Sequence, residues 1–202
     1  MTSRVVIALL TPGSWAPGGI DPGSWRAALA EDLVDLLATL VEVEAAIAVV
    51  PADRPLATAV AWPGMPVYEV AQATLGPVLA AATAAGFAQA AVVATDAPDV
   101  PGLVVAKLLR PLSTRPVAVA PALDGPGLLG VSTVLPAPRW LPDLALETGS
   151  VQAVRDAAPE PALVAAAPGW RRLRGPGGLA TLDPAVDGWE ATRALLTASH
   201  SS

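Results

Sequence analysis

The chain contains no cysteine, a single histidine and a single lysine among its 202 residues. Without cysteine there is no disulfide scaffold, no thiolate nucleophile and no cysteine-based zinc site. The one histidine, His200, falls in a Ser-rich tail, where chain ends tend to fray, so a Ser-His-Asp triad is not expected. Positive charge is scarce: 12 Lys and Arg stand against 18 Asp and Glu, a net charge of −6. With a pI near 4.6, that balance excludes a protein that grips a nucleic-acid backbone. One local exception is Arg171, Arg172 and Arg174, which reads either as a solvated loop or as an anion-binding patch.

Aromatic residues are only 4% of the chain, although hydrophobic residues make up 53%. Much of that content is alanine and valine, and small side chains bury little area each. The core must therefore be broad, with layers that approach closely. A mean hydropathy of +0.52 excludes a wholly disordered chain. The longest uncharged stretch, 70–95, is interrupted by Gln72, Gly76, Pro77, Gly86 and Gln89, which suits a helix followed by a strand and no membrane span. The apolar run near the N-terminus breaks at Thr11-Pro12-Gly13 without a small-residue cleavage site. These features lead us to expect a cytoplasmic protein of one domain, 1–202, with 198–202 as a disordered tail.

Val5-Val6-Ile7-Ala8-Leu9-Leu10 is apolar on both faces, as a central strand of a parallel sheet must be. A Gly/Pro-rich loop follows, and Ser24 is the expected N-cap of a helix over 25–40. Further apolar runs predict strands at 45–50, 66–70, 90–95, 117–120 and 163–166. Helices are expected at 75–85, closed by Gly86, and at 101–109, 151–157 and 190–198. Strand–helix–strand units of this length favour a three-layer α/β/α domain with a mostly parallel sheet.

In open α/β sheets ligands bind beyond the carboxyl ends of the strands. Asp96 stands at such an end, and Asp99 follows it across a Pro-restricted connection. Together they could hold a hard divalent cation and, through it, a diphosphate; the competing reading is that either one caps the next helix. Asp124-Gly125-Pro126-Gly127 follows the 117–120 strand. There glycines would let the backbone approach a ligand and Asp124 could reach the same crevice; a plain turn is the alternative. The first loop, from Thr11 onward, occupies a third position on that edge. It carries neither a P-loop lysine nor the dinucleotide glycine fingerprint.

Taken in order, these segments resemble a bacterial family of GT-A-type glycosyltransferase-like proteins. Thr95-Asp96-Ala97-Pro98-Asp99-Val100-Pro101 is similar to that family's G-S/A-D-C-P-D-L-P/T signature. Pro121-Ala122-Leu123-Asp124-Gly125-Pro126-Gly127 is similar to its G-P-A-x-D-G-G segment, with Pro126 at the second glycine. Ala185-Val186-Asp187-Gly188-Trp189-Glu190 looks like the ending common to nucleotidyl- and glycosyl-transferases of this fold. The resemblance implies a nucleotide-diphospho-sugar transferase (GT-A, Rossmann-like) fold that binds a nucleotide-sugar or nucleotide. It implies a nucleotide site at Leu10, Thr11, Pro12, Gly13 and Arg26, and Mg²⁺ or Mn²⁺ at Asp96 and Asp99. Asp124 would act on the acceptor, with Gly125 and Gly127 at the substrate. Family members carry Lys and Arg in the first loop; here residues 10–19 have none.

The expected function is metal-assisted glycosyl or nucleotidyl transfer from a nucleotide-activated donor. A catalytically degenerate relative that acts as a binding or scaffold subunit is the alternative. Trp15, Trp25, Trp62 and Trp140, each near a Pro/Gly break, would then be candidate contacts for a protein partner or a second copy, with core packing the alternative for each.

Overall fold

The computed structural model describes residues 3–13 and 15–199. His200 lies outside the described residues, as do the last two residues of the expected tail. Ala198 and Ser199, also assigned to that tail, instead belong to the closing helix.

Strand β1 (Arg4–Leu9) is flanked on both sides by parallel neighbours, β2 (Glu44–Val49) and β4 (Gln89–Ala94). The short β3 (Val67–Glu69) extends the sheet beyond β2. On the other side lie β6 (Leu128–Val134), β5 (Val117–Pro121) and β7 (Val164–Ala166), giving the order β3-β2-β1-β4-β6-β5-β7. Among the described residues only β6 runs antiparallel, paired with β4 and β5. The chain moves outward from β1 through β2 to β3, then returns to place β4 on the opposite side of β1. That reversal creates a crevice between the carboxyl ends of β1 and β4.

Alternation along the strands sorts the core into two layers. Val6, Ala8, Ile47, Val49, Ala91 and Val93 face helices α1 (Pro22–Ala38), α2 (Arg54–Val60) and α4 (Gly102–Leu109). Val5, Ile7, Ala46, Ala48, Ala90 and Val92 face α3 (Leu75–Ala84) and α5 (Val151–Ala157). The layered α/β/α architecture is thus the expected one. Each fully buried Leu or Ile contributes about 2 kcal/mol, and the fully buried alanines of β1, β2, β4 and β5 let the helices sit close to the sheet. Among the described residues no helix is long and apolar enough to cross a membrane.

Helix α1 begins three residues earlier than expected. Asp21, not Ser24, is its N-cap, accepting the Ser24 amide at 2.8 Å and its hydroxyl at 3.0 Å. Strand β6 went unforeseen because Gly130, Ser132 and Thr133 break its apolar run. Each has a local reason: a Cβ at Gly130 would lie 2.6 Å from the Val92 carbonyl oxygen. Ser132 donates to the Leu108 carbonyl at 2.6 Å and Thr133 to the Pro116 carbonyl at 3.0 Å, so neither hydroxyl is buried unpaired. The short helices α2 and α6 (Pro176–Leu179) were likewise not anticipated.

The closing helix α7 (Glu190–Ser199) packs on α1 through Asp32, which accepts the amides of Ala191 and Thr192 at 2.9 Å each. Burial pushes the Asp32 carboxyl up to about 6, against the opposing effect of these bonds. Trp189 is buried beside it and donates to the Asp183 carbonyl at 3.2 Å. The Asp187-Gly188-Trp189-Glu190 segment thus anchors a helix.

Candidate functional site

The carboxyl ends of β1, β4 and β5 share one edge of the sheet, and the turn from β5 into β6 closes it. That turn needs its glycines. Gly125 and Gly127 have φ of 149° and 98°, and a Cβ at Gly127 would lie 2.6 Å from the Glu147 carbonyl oxygen. After β7 the chain crosses back over the same edge. Ala122 and Trp170 form a parallel bridge, and the Leu173 amide donates to the Asp96 carbonyl at 2.6 Å. This returning segment brings in residues that the local sequence around Asp96 does not announce.

Neither Asp96 nor Asp99 caps α4, whose N-cap is Pro101 without a side-chain bond. Asp96 instead receives the Arg172 guanidinium on both carboxylate oxygens, Nε at 2.5 Å and Nη2 at 2.9 Å. Arg172 is 1% exposed. It donates further to the carbonyls of Leu128 and Leu146 at 2.9 and 3.1 Å and to Glu147 at 3.3 Å. Burial pulls the guanidinium pKa down, but the charges and hydrogen bonds of Asp96 and Glu147 together outweigh this and leave it raised. Burial pushes the Asp96 carboxyl up, with Arg172 opposing.

Asp99 faces elsewhere. Its side chain is buried, with one oxygen accepting the Trp170 indole at 2.9 Å. The other oxygen accepts the Asp183 amide at 3.2 Å and lies 3.6 Å from Arg171. The two carboxylates therefore do not converge on a common point. Their oxygens already serve cations and N–H donors, and a divalent ion at Asp96 would meet the Arg172 charge head-on. Among the described residues no group of three or more His, Cys, Asp or Glu could hold a metal ion. This arrangement does not fit Mg²⁺ or Mn²⁺ at Asp96 and Asp99.

Asp124 accepts the Arg172 amide at 3.2 and 3.3 Å and lies 3.9 Å from Arg174 Nη2. Together with Arg172, Arg174, Gly175 and Gly177 it borders an open cleft of about 550 Å³. The arginine cluster is therefore no solvated loop. Arg172 is buried and Arg174 is held by a 2.6 Å bond to the Pro126 carbonyl. Arg172, Arg174 and Glu147 are not among the residues that the sequence assigns to the site; the arginine cluster is the one signal for the two arginines, and Glu147 has none.

The first loop contributes little open space. Leu10 is fully buried, and its amide is bonded to the Ala48 carbonyl at 2.9 Å. Arg26 ties the loop down, donating to the Thr11 carbonyl at 2.8 Å and to both oxygens of Asp53 at 2.7 and 2.6 Å. The bonds from Arg26 hold the Asp53 carboxyl below its ordinary range. Thr11, Pro12, Gly13 and Arg26 meet Trp25 and Leu173 around a cavity of only about 20 Å³. Trp25, read either as an exposed contact or as core, is 1% exposed beneath this loop, with Trp15 edge-on to it at 6.0 Å. Trp140 packs partly buried against the core. Trp62 is 53% exposed and donates to Asp35 at 2.6 Å.

The architecture and the strand-end site define a nucleotide-diphospho-sugar transferase fold, and comparison with solved structures agrees. A Desulfovibrio desulfuricans G20 protein assigned to the nucleotide-diphospho-sugar transferases superposes with a TM-score of 0.64 at 19% identity. The match covers 100% of this chain and 98% of that one. 4-Diphosphocytidyl-2C-methyl-D-erythritol synthase from Anaerococcus prevotii gives 0.60 at 8% identity, covering 96% of each chain. Mycobacterium tuberculosis glucosyl-3-phosphoglycerate synthase, in complex with Mn²⁺, UDP and phosphoglyceric acid, gives 0.54 at 15% identity, covering 98% of this chain and 78% of that one. At these identities the likeness is one of fold. No family model and no curated protein matches the sequence.

Proposed function

We propose that the protein binds a nucleotide-activated donor at the carboxyl edge of its sheet and transfers the glycosyl or nucleotidyl group to an acceptor. The observation that supports this most is the gathering of Asp124, Arg172 and Arg174 around one open cleft at the strand ends, on a fold shared with such transferases. In this reading Asp124 orients an acceptor hydroxyl or takes its proton. Gly125 and Gly127 leave the backbone bare beside it, and Thr11, Pro12, Gly13 and Arg26 bound the same sheet edge beyond Asp96. In this reading Asp96 holds Arg172 in place of a metal ion.

The test is calorimetry with UDP-, GDP- and dTDP-sugars, together with an assay for released nucleotide. Wild type should bind at least one donor. Asp124→Asn should keep that binding while turnover drops at least about 100-fold. Failure of wild type to bind any donor would overturn the reading.

A second reading, a degenerate binding subunit, draws support from the cavity of about 20 Å³ beneath the first loop. Donor binding without nucleotide release, with a partner or second copy seen by light scattering, would favour it.

A further inference from the structure

On the reading that a phosphorylated donor binds this edge, we infer that its diphosphate is held without a divalent ion, by Arg174 in the cleft beside Asp124. Arg172 stands fixed against Asp96 where the metal was expected.

Space favours this placement. The cleft of about 550 Å³ lies within the size range of small-molecule sites, whereas about 20 Å³ beneath the first loop holds no more than a water.

Donors favour it too. Arg26, the cation nearest the first loop, has its guanidinium committed to Asp53 and Thr11. Arg172 is committed to Asp96, Glu147 and two carbonyls. Among the described residues the Arg174 guanidinium makes one hydrogen bond, from Nη1 to the Pro126 carbonyl, and its Nη2 has only a loose 3.9 Å contact with Asp124. The remaining N–H groups of that fork are the ones able to meet phosphoryl oxygens.

The carboxylates nearby do not repel an anion as strongly as their number suggests. Asp96 and Glu147 point at the buried guanidinium, and both oxygens of Asp124 accept the Arg172 amide.

Part of the cleft lining is bare backbone. Gly175 is extended, with φ of −179°. A Cβ added at Gly175 or Gly177 would meet nothing within 4 Å, and neither has a positive φ. Neither backbone conformation nor packing calls for glycine there, so the missing side chains serve to leave the cleft open to a ligand.

The experiment titrates pyrophosphate and UDP separately into the intact protein, in EDTA and in excess Mg²⁺, with Mn²⁺ alone followed by EPR. Wild type should bind both probes with affinities within about threefold in the two media, and Mn²⁺ should stay free. Arg174→Gln should weaken both probes at least about tenfold, with Arg174→Lys in between because it keeps charge but loses the fork. Gly175→Val should weaken them without lowering the unfolding midpoint. Binding that requires Mg²⁺, a stoichiometric Mn²⁺ signal, or UDP binding unchanged in Arg174→Gln would overturn this inference and leave the proposed function standing. No binding of either probe in either medium, with no donor bound, would overturn both.

Discussion

Replacing Arg172 by Met tests whether the site is organised around a buried cation. Arg172 is 1% exposed and makes two charge-assisted bonds to Asp96, at 2.5 and 2.9 Å. Bonds of this kind are worth about 1.5–3 kcal/mol each. Their loss also leaves the Asp96 carboxylate uncompensated and the Leu128 carbonyl without its guanidinium donor. The Leu146 carbonyl is less affected, since it keeps the Leu128 amide at 2.7 Å, and Glu147, about a third exposed, can turn to water. Breaking one side of a buried pair typically costs about 3–5 kcal/mol, and the bond-by-bond sum agrees. That is a large share of the stability of a domain this size. Removing both partners, as Arg172→Met with Asp96→Leu, should recover about 2 kcal/mol or more of that loss, because no orphan charge remains. The assay is urea unfolding at pH 7 of wild type, both single variants and the double variant. A loss below about 1 kcal/mol in Arg172→Met, or strictly additive losses in the double variant, would refute the argument. Arg172 would then be a mobile side chain, and Asp96 would be free for other ligands.

Asp32 makes stability depend on pH. Its folded pKa of about 6 lies above the ordinary 3.8, so the unfolded chain gives up this proton first. Stability should therefore fall by about 2–3 kcal/mol as pH rises from 4 to 6 and level off above; denaturant melts of wild type against Asp32→Asn check this, and parallel curves would refute it. A glycine of the turn from β5 into β6 and one that lines the cleft should behave oppositely. Gly127→Ala should cost at least about 2 kcal/mol, because φ is 98° and its Cβ would sit 2.6 Å from the Glu147 carbonyl oxygen. Gly175→Ala should stay within about 0.5 kcal/mol, and a comparison of thermal midpoints decides both.

The sheet was legible wherever one local pattern sufficed. β1, β2 and β4 read as strands because nearly all their side chains are buried on both faces, which requires unbroken apolar runs. β6 was hidden because its glycine and two hydroxyls answer to the Val92, Leu108 and Pro116 carbonyls on neighbouring elements. No periodicity in the strand itself records those neighbours. The N-cap of α1 shows the same limit at short range: Asp21 and Ser24 are both competent caps, and only the backbone at Asp21, with ψ of 127°, decides between them.

The site divides along the same line. Asp96 was found because an apolar strand ending in an aspartate at the carboxyl edge is a local signal. Its partner is 76 residues away, in a segment without regular structure, where three arginines also read as a solvated loop or helix end. What brings Arg172 to Asp96 is the path of the backbone. Trp170 bridges Ala122, and Gly169 passes so close to the Pro121 carbonyl that a Cβ would come within 2.2 Å of it. Once that crossing is made, Arg172 must be buried at the strand ends, and a buried guanidinium must find a carboxylate. The absence of basic residues from the first loop and the arginines of the returning segment then become one observation. The positive charge on this edge comes from the segment that closes the crevice, not from the loop that opens it.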